Sequence, residues 1–160
     1  MATWIERHLV NRAVRLGVRL GRDIDGLQEL EVRGRRSGKR RRTPIKVLEV
    51  DGRRYVVSLS GSSGWVCNVR ASHRARLRFG RRVEDVAVVE VPDQDKPPVV
   101  RAYLQAATRP ETRRRLEWAG EGVPEAEVRR HAASHPVFRI SGASDAAPAM
   151  RTDGERRRYG

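Results

Sequence analysis

The chain is short of several things, and each shortage excludes something. It has a single cysteine, Cys67, so no internal disulfide can form, and the count says nothing about redox compartment. No stretch approaches the ~20 apolar residues needed to cross a bilayer. Glu6, Arg7, Arg12 and Arg15 interrupt the N-terminal region, so it does not read as a secretory signal. The expectation is a cytoplasmic protein. Aromatic residues make up 5% of the sequence, too few for the stacking platforms that hold single-stranded nucleic acid. Lysine is also scarce: Lys39, Lys46 and Lys96 are the only three.

What is present is arginine. Lys and Arg together number 34 against 20 Asp and Glu, a net charge of +14. Such an excess points to an anionic partner: nucleic acid, a lipid surface or a polyanionic small molecule. Arginine forks bind phosphate and carboxylate in pairs of hydrogen bonds. A GC-rich genome would produce the same bias. At 160 residues the chain makes one domain with a real core.

Residues 3–20 carry an apolar stripe (Trp4, Leu9, Ala13, Val14, Leu20) and a basic one (Arg12, Arg15, Arg19), the pattern of an amphipathic helix. Such a helix packs on its own domain or lies on a membrane surface. Strand patterns follow. Leu30 and Val32 alternate with charged residues, 43–50 is β-rich, and Asp51-Gly52 marks a hairpin. Tyr55 to Ser60 reads as the return strand. Ser62 or Ser63 can cap a helix starting near Trp65 and running through Asn68 to about Ser72. Arg74, Arg76 and Arg78 alternate with Ala75, Leu77 and Phe79, which predicts one wet and one buried face. Residues 83–91 form another strand, and Pro92, Pro97 and Pro98 mark a linker. Helices around 99–107, 110–119 and 124–133 precede a last strand at 135–140. The tail is expected to be disordered. The resulting organisation is a basic amphipathic helix over 1–24, a barrel domain over 25–140 and a basic tail over 141–160. The fold class is mainly β: a small closed barrel with flanking helices.

The densest chemical signal is Gly34-Arg35-Arg36-Ser37-Gly38-Lys39-Arg40-Arg41. Two glycines let the backbone fold tightly, and the Ser37 amide and hydroxyl join the guanidinium groups as donors. It is not a Walker loop, because Arg40 follows Lys39 where a Ser or Thr is required. It leads into a strand and not a helix, which excludes a Rossmann fingerprint. A solvated basic turn would look the same. His131 and His135 stand at a metal-binding spacing, but Pro136 argues for a helix end there. No metal is expected. Cys67 has no evident supporting base and reads as a small buried residue. Trp65 and Asn68 lie one turn apart and face one side of their helix.

Gly34-Arg35-Arg36-Ser37-Gly38, then Arg41, Thr43 and Pro44, a strand ending at Ser60, the Trp65/Asn68 pair and the late His-Pro-Val-Phe-Arg run at 135–139 together resemble the deazaflavin-dependent nitroreductase family. The resemblance covers roughly residues 25–140. It implies a split β-barrel of the flavin/deazaflavin-binding type and an oxidoreductase using coenzyme F-420, with flavin mononucleotide as the weaker alternative cofactor. Hydride would pass from the reduced coenzyme to a quinone or nitro compound. Arg35, Arg36, Ser37, Gly38 and Arg41 would hold the phosphate and polyglutamate tail. Thr43 and Pro44 would wall the groove, Ser58 and Ser60 would line the ring beside Trp65 and Asn68, and Ser60 is the candidate for a chemical role. The loop between Ser60 and Trp65 is shorter than the family's usual one and lacks its lysine. A homodimer is expected by analogy. Two other readings are a basic nucleic-acid-binding barrel and a coenzyme carrier of the same fold.

Overall fold

A computed structural model describes residues 13–18, 20 and 26–142. The expectations for residues 1–12 and for the tail beyond 142 lie outside them. Residues 13–18 form helix α1. Six strands follow: β1 (Leu27–Arg33), β2 (Arg40–Val50), β3 (Arg53–Val57), β4 (Arg74–Phe79), β5 (Arg82–Glu90) and β6 (Val137–Gly142). Helix α2 (Gly64–Ser72) joins β3 to β4. Between β5 and β6 come α3 (Lys96–Gln105), α4 (Pro110–Arg115) and α5 (Glu125–Ala132). The strands close into an antiparallel barrel in the order β1-β2-β3-β6-β5-β4. This is the expected closed barrel with helices at its margins.

The period-2 pattern decides which residues fill it. Leu30 and Val32, Leu77, Val86 and Val88, Phe138 and Ile140 point inward and pack with Val66 and Val69 of α2. A second cluster forms outside the barrel, where Val57 and Val137 meet Val99, Val100, Leu116 and Val128 from the helical segment. The β2–β3 turn needs positive φ at both central residues. Asp51 (51°) and Gly52 (69°) supply it, so the hairpin predicted there forms.

Three expectations are corrected. Pro97 and Pro98 do not lie in a linker: they occupy the first turn of α3, where a missing N–H leaves no helical bond unmade. The strand expected to reach Ser60 stops at Val57. Beyond it the Ser58 hydroxyl donates to Ser60 O at 2.8 Å, a local side-chain bond of the kind that ends a ladder. Finally, Arg76 and Arg78 are not simply wet. They flank Glu29 and Glu31, which sit on the outer face of β1 yet are buried.

Glu31 accepts from Arg42 Nε at 2.6 Å and Arg40 Nη1 at 2.8 Å, and Arg76 lies 4.0 Å away. Burial pushes its carboxyl up, but the bonds and charges of Arg42 and Arg40 outweigh this, and the net shift is below the ordinary 4.5. Arg54 lowers Glu84 through paired bonds, and Arg70 does the same for Glu90. A carboxylate depressed in the folded state stabilises above its unfolded value, and that contribution is lost as pH falls below 4.5. The thermal midpoint should therefore drop between about pH 6 and about pH 3. Glu31→Gln should flatten that drop, as calorimetry across the range will show.

Candidate functional site

The β1–β2 connection is the cation loop. It closes on itself: Gly34 N donates to Lys39 O and Gly38 N to Gly34 O, both at 2.8 Å. Gly38 sits at φ 65°, in the left-handed region that glycine enters freely. A Cβ on Gly34 would meet Ser37 Oγ at 3.0 Å and Lys39 O at 3.2 Å, so a side chain there would have to push the turn apart by a few tenths of an ångström. The loop is tied to α2 by one residue. Asn68 is buried, and its Oδ1 accepts from Arg35 N at 3.1 Å and from Arg35 Nη1 at 3.3 Å. The amide that the sequence placed beside a ring is thus also the anchor of the loop.

Two clefts share Trp65 in their walls. One, of about 300 Å³, is lined by Val32, Arg41, Arg42, Thr43, Trp65 and Asn68. The other, of about 380 Å³, includes Pro44, Ser58, Ser60, Ser63, Trp65 and Tyr103 in its wall. Trp65 is half-buried and fixed edge-on against Phe138 of the barrel core, with centroids 5.6 Å apart at 60°. A larger cleft of about 580 Å³ elsewhere, lined by Arg53, Tyr55, Arg139 and others, contains none of the candidate cofactor-binding or catalytic residues.

Arg41, Thr43, Trp65 and Asn68 converge on the cationic cleft. Pro44, Ser58, Ser60 and Trp65 converge on the hydroxyl-lined one. Arg35, Arg36, Ser37 and Gly38 lie on the exposed loop and line neither. Arg40 and Arg42 are engaged by Glu31. Among the described residues Arg36 and Arg41 have no carboxylate partner. Ser58 is 3% exposed and bonded within its own turn, whereas Ser60 is exposed. The rings of His131 and His135 lie against Trp118, with centroids 5.4 and 5.0 Å away.

Sequence reasoning missed Lys46, Ser63, Tyr103 and Arg109, all in the wall of the hydroxyl-lined cleft. Tyr103 and Arg109 come from the segment around α3 and α4, far along the chain, and no local spacing could announce them. Ser63 was read only as a helix cap. It is the N-cap residue of α2, yet its side chain makes no capping bond.

A family model described as F-420H(2)-dependent quinone reductase matches residues 4–117. No curated protein matches the chain. Among solved structures, one described as a domain-swapped dimer superposes with a TM-score of 0.53 at 17% identity, covering 86% of this chain and 97% of that one. It has the same fold. An F-420-H2 dependent reductase gives a TM-score of 0.49 at 18% identity, covering 72% and 94%. A pyridoxamine 5'-phosphate oxidase-like protein from Listeria innocua gives 0.48 at 10%, covering 74% and 84%.

Proposed function

Because the chain belongs to the F-420H(2)-dependent quinone reductase family, and is thus an oxidoreductase that uses coenzyme F-420, we propose that its two clefts divide the work of reducing a quinone. The observation that carries this is their junction at Trp65: one side cationic, the other lined by hydroxyls and apolar side chains. The coenzyme has a phosphodiester and several carboxylates, and it supplies the hydride chemistry when bound. The residues present fit such a group. Arg36 and Arg41 face solvent without carboxylate partners among the described residues, and Asn68 holds Arg35 and the loop in place.

In this reading Arg35, Arg36, Ser37, Gly38, Arg41 and Thr43 hold the anionic tail through charge-assisted bonds. Pro44 and Trp65 pack the ring, and Ser58 shapes the turn behind it. Ser60 donates a hydrogen bond to the acceptor oxygen, where charge develops as the hydride arrives. Quinone plus hydride plus one proton gives the hydroquinone. A quinone is one of the two acceptor classes implied by the sequence resemblance.

The division into an N-terminal helix over 1–24, a barrel domain from 25 and a basic tail is part of the same reading, with β6 running to Gly142. A homodimer as working assembly is part of the reading, and sedimentation equilibrium tests it. No helix among the described residues is long and apolar enough to cross a membrane. Leu16 and Leu20 are 60% and 68% exposed in a segment whose sequence is rich in arginine, which supports surface contact of residues 3–20 with lipid. Co-sedimentation with anionic vesicles tests that contact, and fractionation tests a cytoplasmic location.

The deciding experiment is a pair of titrations at one ionic strength. Oxidised coenzyme F-420 should bind more tightly than flavin mononucleotide, because only the former brings several carboxylates to the cation loop. The reduced coenzyme should be oxidised by menadione in stopped flow. A clear preference for the flavin, or no turnover with any quinone, would overturn the proposal.

A further inference from the structure

We infer that the Ser63 hydroxyl is the contact for an N–H donor on the coenzyme ring, while Ser60 serves the quinone; this rests on the reading above. Ser58 is 3% exposed and donates to Ser60 O at 2.8 Å. A hydroxyl has one hydrogen and two lone pairs. Toward every other neighbour Ser58 Oγ can therefore only accept. It does so from Ser60 N at 3.4 Å, and Ser63 Oγ lies 3.2 Å away. In that pair Ser63 must be the donor.

The hydrogen of Ser63 is thus directed at Ser58. Its oxygen makes no capping bond to α2, and it belongs to the cleft wall with Pro44 and Trp65. What it offers a ligand is an acceptor. An acceptor attracts N–H and repels a carbonyl oxygen. A quinone brings carbonyl oxygens and no N–H. The deazaflavin ring has an imide N–H between two carbonyls, and it is the partner of matching polarity. Ser60 differs. It is exposed, and its Oγ lies 3.2 Å from Ser62 Oγ with either atom free to donate. Ser60 can turn its hydrogen to the acceptor of the hydride. The stretch from Ser60 to Ser63 thus carries a hydroxyl of fixed polarity, that of Ser63, and one of switchable polarity, that of Ser60.

The test separates binding from turnover. Loss of one neutral hydrogen bond should raise the dissociation constant of oxidised coenzyme for Ser63→Ala about three- to tenfold. The rate constant for menadione reduction at saturating coenzyme should stay within about twofold. Ser63→Thr keeps the hydroxyl and should restore affinity, which a merely disrupted loop would not. Ser60→Ala should show the reverse split. The unaltered chain should also favour flavin mononucleotide over its N3-methylated derivative, and Ser63→Ala should narrow that preference. If coenzyme binds the unaltered chain normally and Ser63→Ala binds it equally well, the assignment of Ser63 is overturned and the family reading stands. If the unaltered chain binds no coenzyme, both fall together.

Discussion

Coenzyme F-420 should bind at least about a hundredfold more weakly to a variant with Arg35→Ala, Arg36→Ala and Arg41→Ala combined. A charge-assisted contact is typically worth ~1.5–3 kcal/mol, or roughly tenfold or more in affinity for each arginine that meets the tail. The three are exposed on the β1–β2 loop and the start of β2, so the variant should melt within about 2 °C of the unaltered chain. The loop should also keep its path. Asn68 holds the Arg35 backbone N–H at 3.1 Å, and alanine retains that group. The variant loses the three charges and the Arg35 Nη1 bond to Asn68 at 3.3 Å. Affinity for the unaltered chain should fall steeply with salt, because a polyanion on an open loop is screened, and the triple variant should lose most of that salt dependence. Fluorescence titrations at low and high ionic strength measure both. Equal affinity in the two proteins would show that the tail does not lie on this loop.

The second large effect belongs to the barrel interior. Phe138→Ala should destabilise the fold by ~3–5 kcal/mol and lower the melting temperature by about 10 °C. Phe138 is 1% exposed and packs with residues from several strands and α2. It is also the ring against which Trp65 stands edge-on. With that support gone, Trp65 loses its fixed angle, and both clefts that share it change shape. Coenzyme affinity should therefore fall well below the melting range, and the tryptophan emission should shift to the red. Phe138→Leu keeps most of the volume and should cost less than half as much. A loss below about 1 kcal/mol for the alanine variant would contradict the packing described.

Much of the barrel could be read before any coordinates. Alternation of small period is robust wherever one face is apolar, as at Ala75-Leu77 and Val86-Val88. The Asp51-Gly52 turn is decided by two local angles. The cation loop stands out because glycines and arginines are contiguous. Other features depend on residues that meet only in space. Glu29 and Glu31 looked like the solvated half of an alternating strand. They are buried because arginines of β2 and β4 flank them on both sides. Pro97 and Pro98 look like breakers by composition, and only the position of the preceding turn reveals them as helix starters. Ser58 and Ser60 looked alike in sequence. One is buried with its hydrogen committed to Ser60 O, and the other is exposed with its hydroxyl beside that of Ser62. Tyr103 enters the site because α3 lies on β2 and β3, a contact no local pattern specifies.

The barrel order has a consequence for biogenesis. β6 is the last strand in sequence, yet it lies between β3 and β5, pairing Arg54 with Ile140 on one side and Val88 with Ile140 on the other. A nascent chain emerging from the ribosome can form β1 to β5 and still leave two open strand edges facing each other. Those edges are templates for pairing with another chain. They are sealed only when Val137–Gly142 is released and inserted, after the whole helical segment has been made. Closure is thus a late step of high sequence separation, and slow for that reason. A chain truncated before Val137 should accumulate in inclusion bodies, while one ending just after Gly142 has everything needed to seal the barrel.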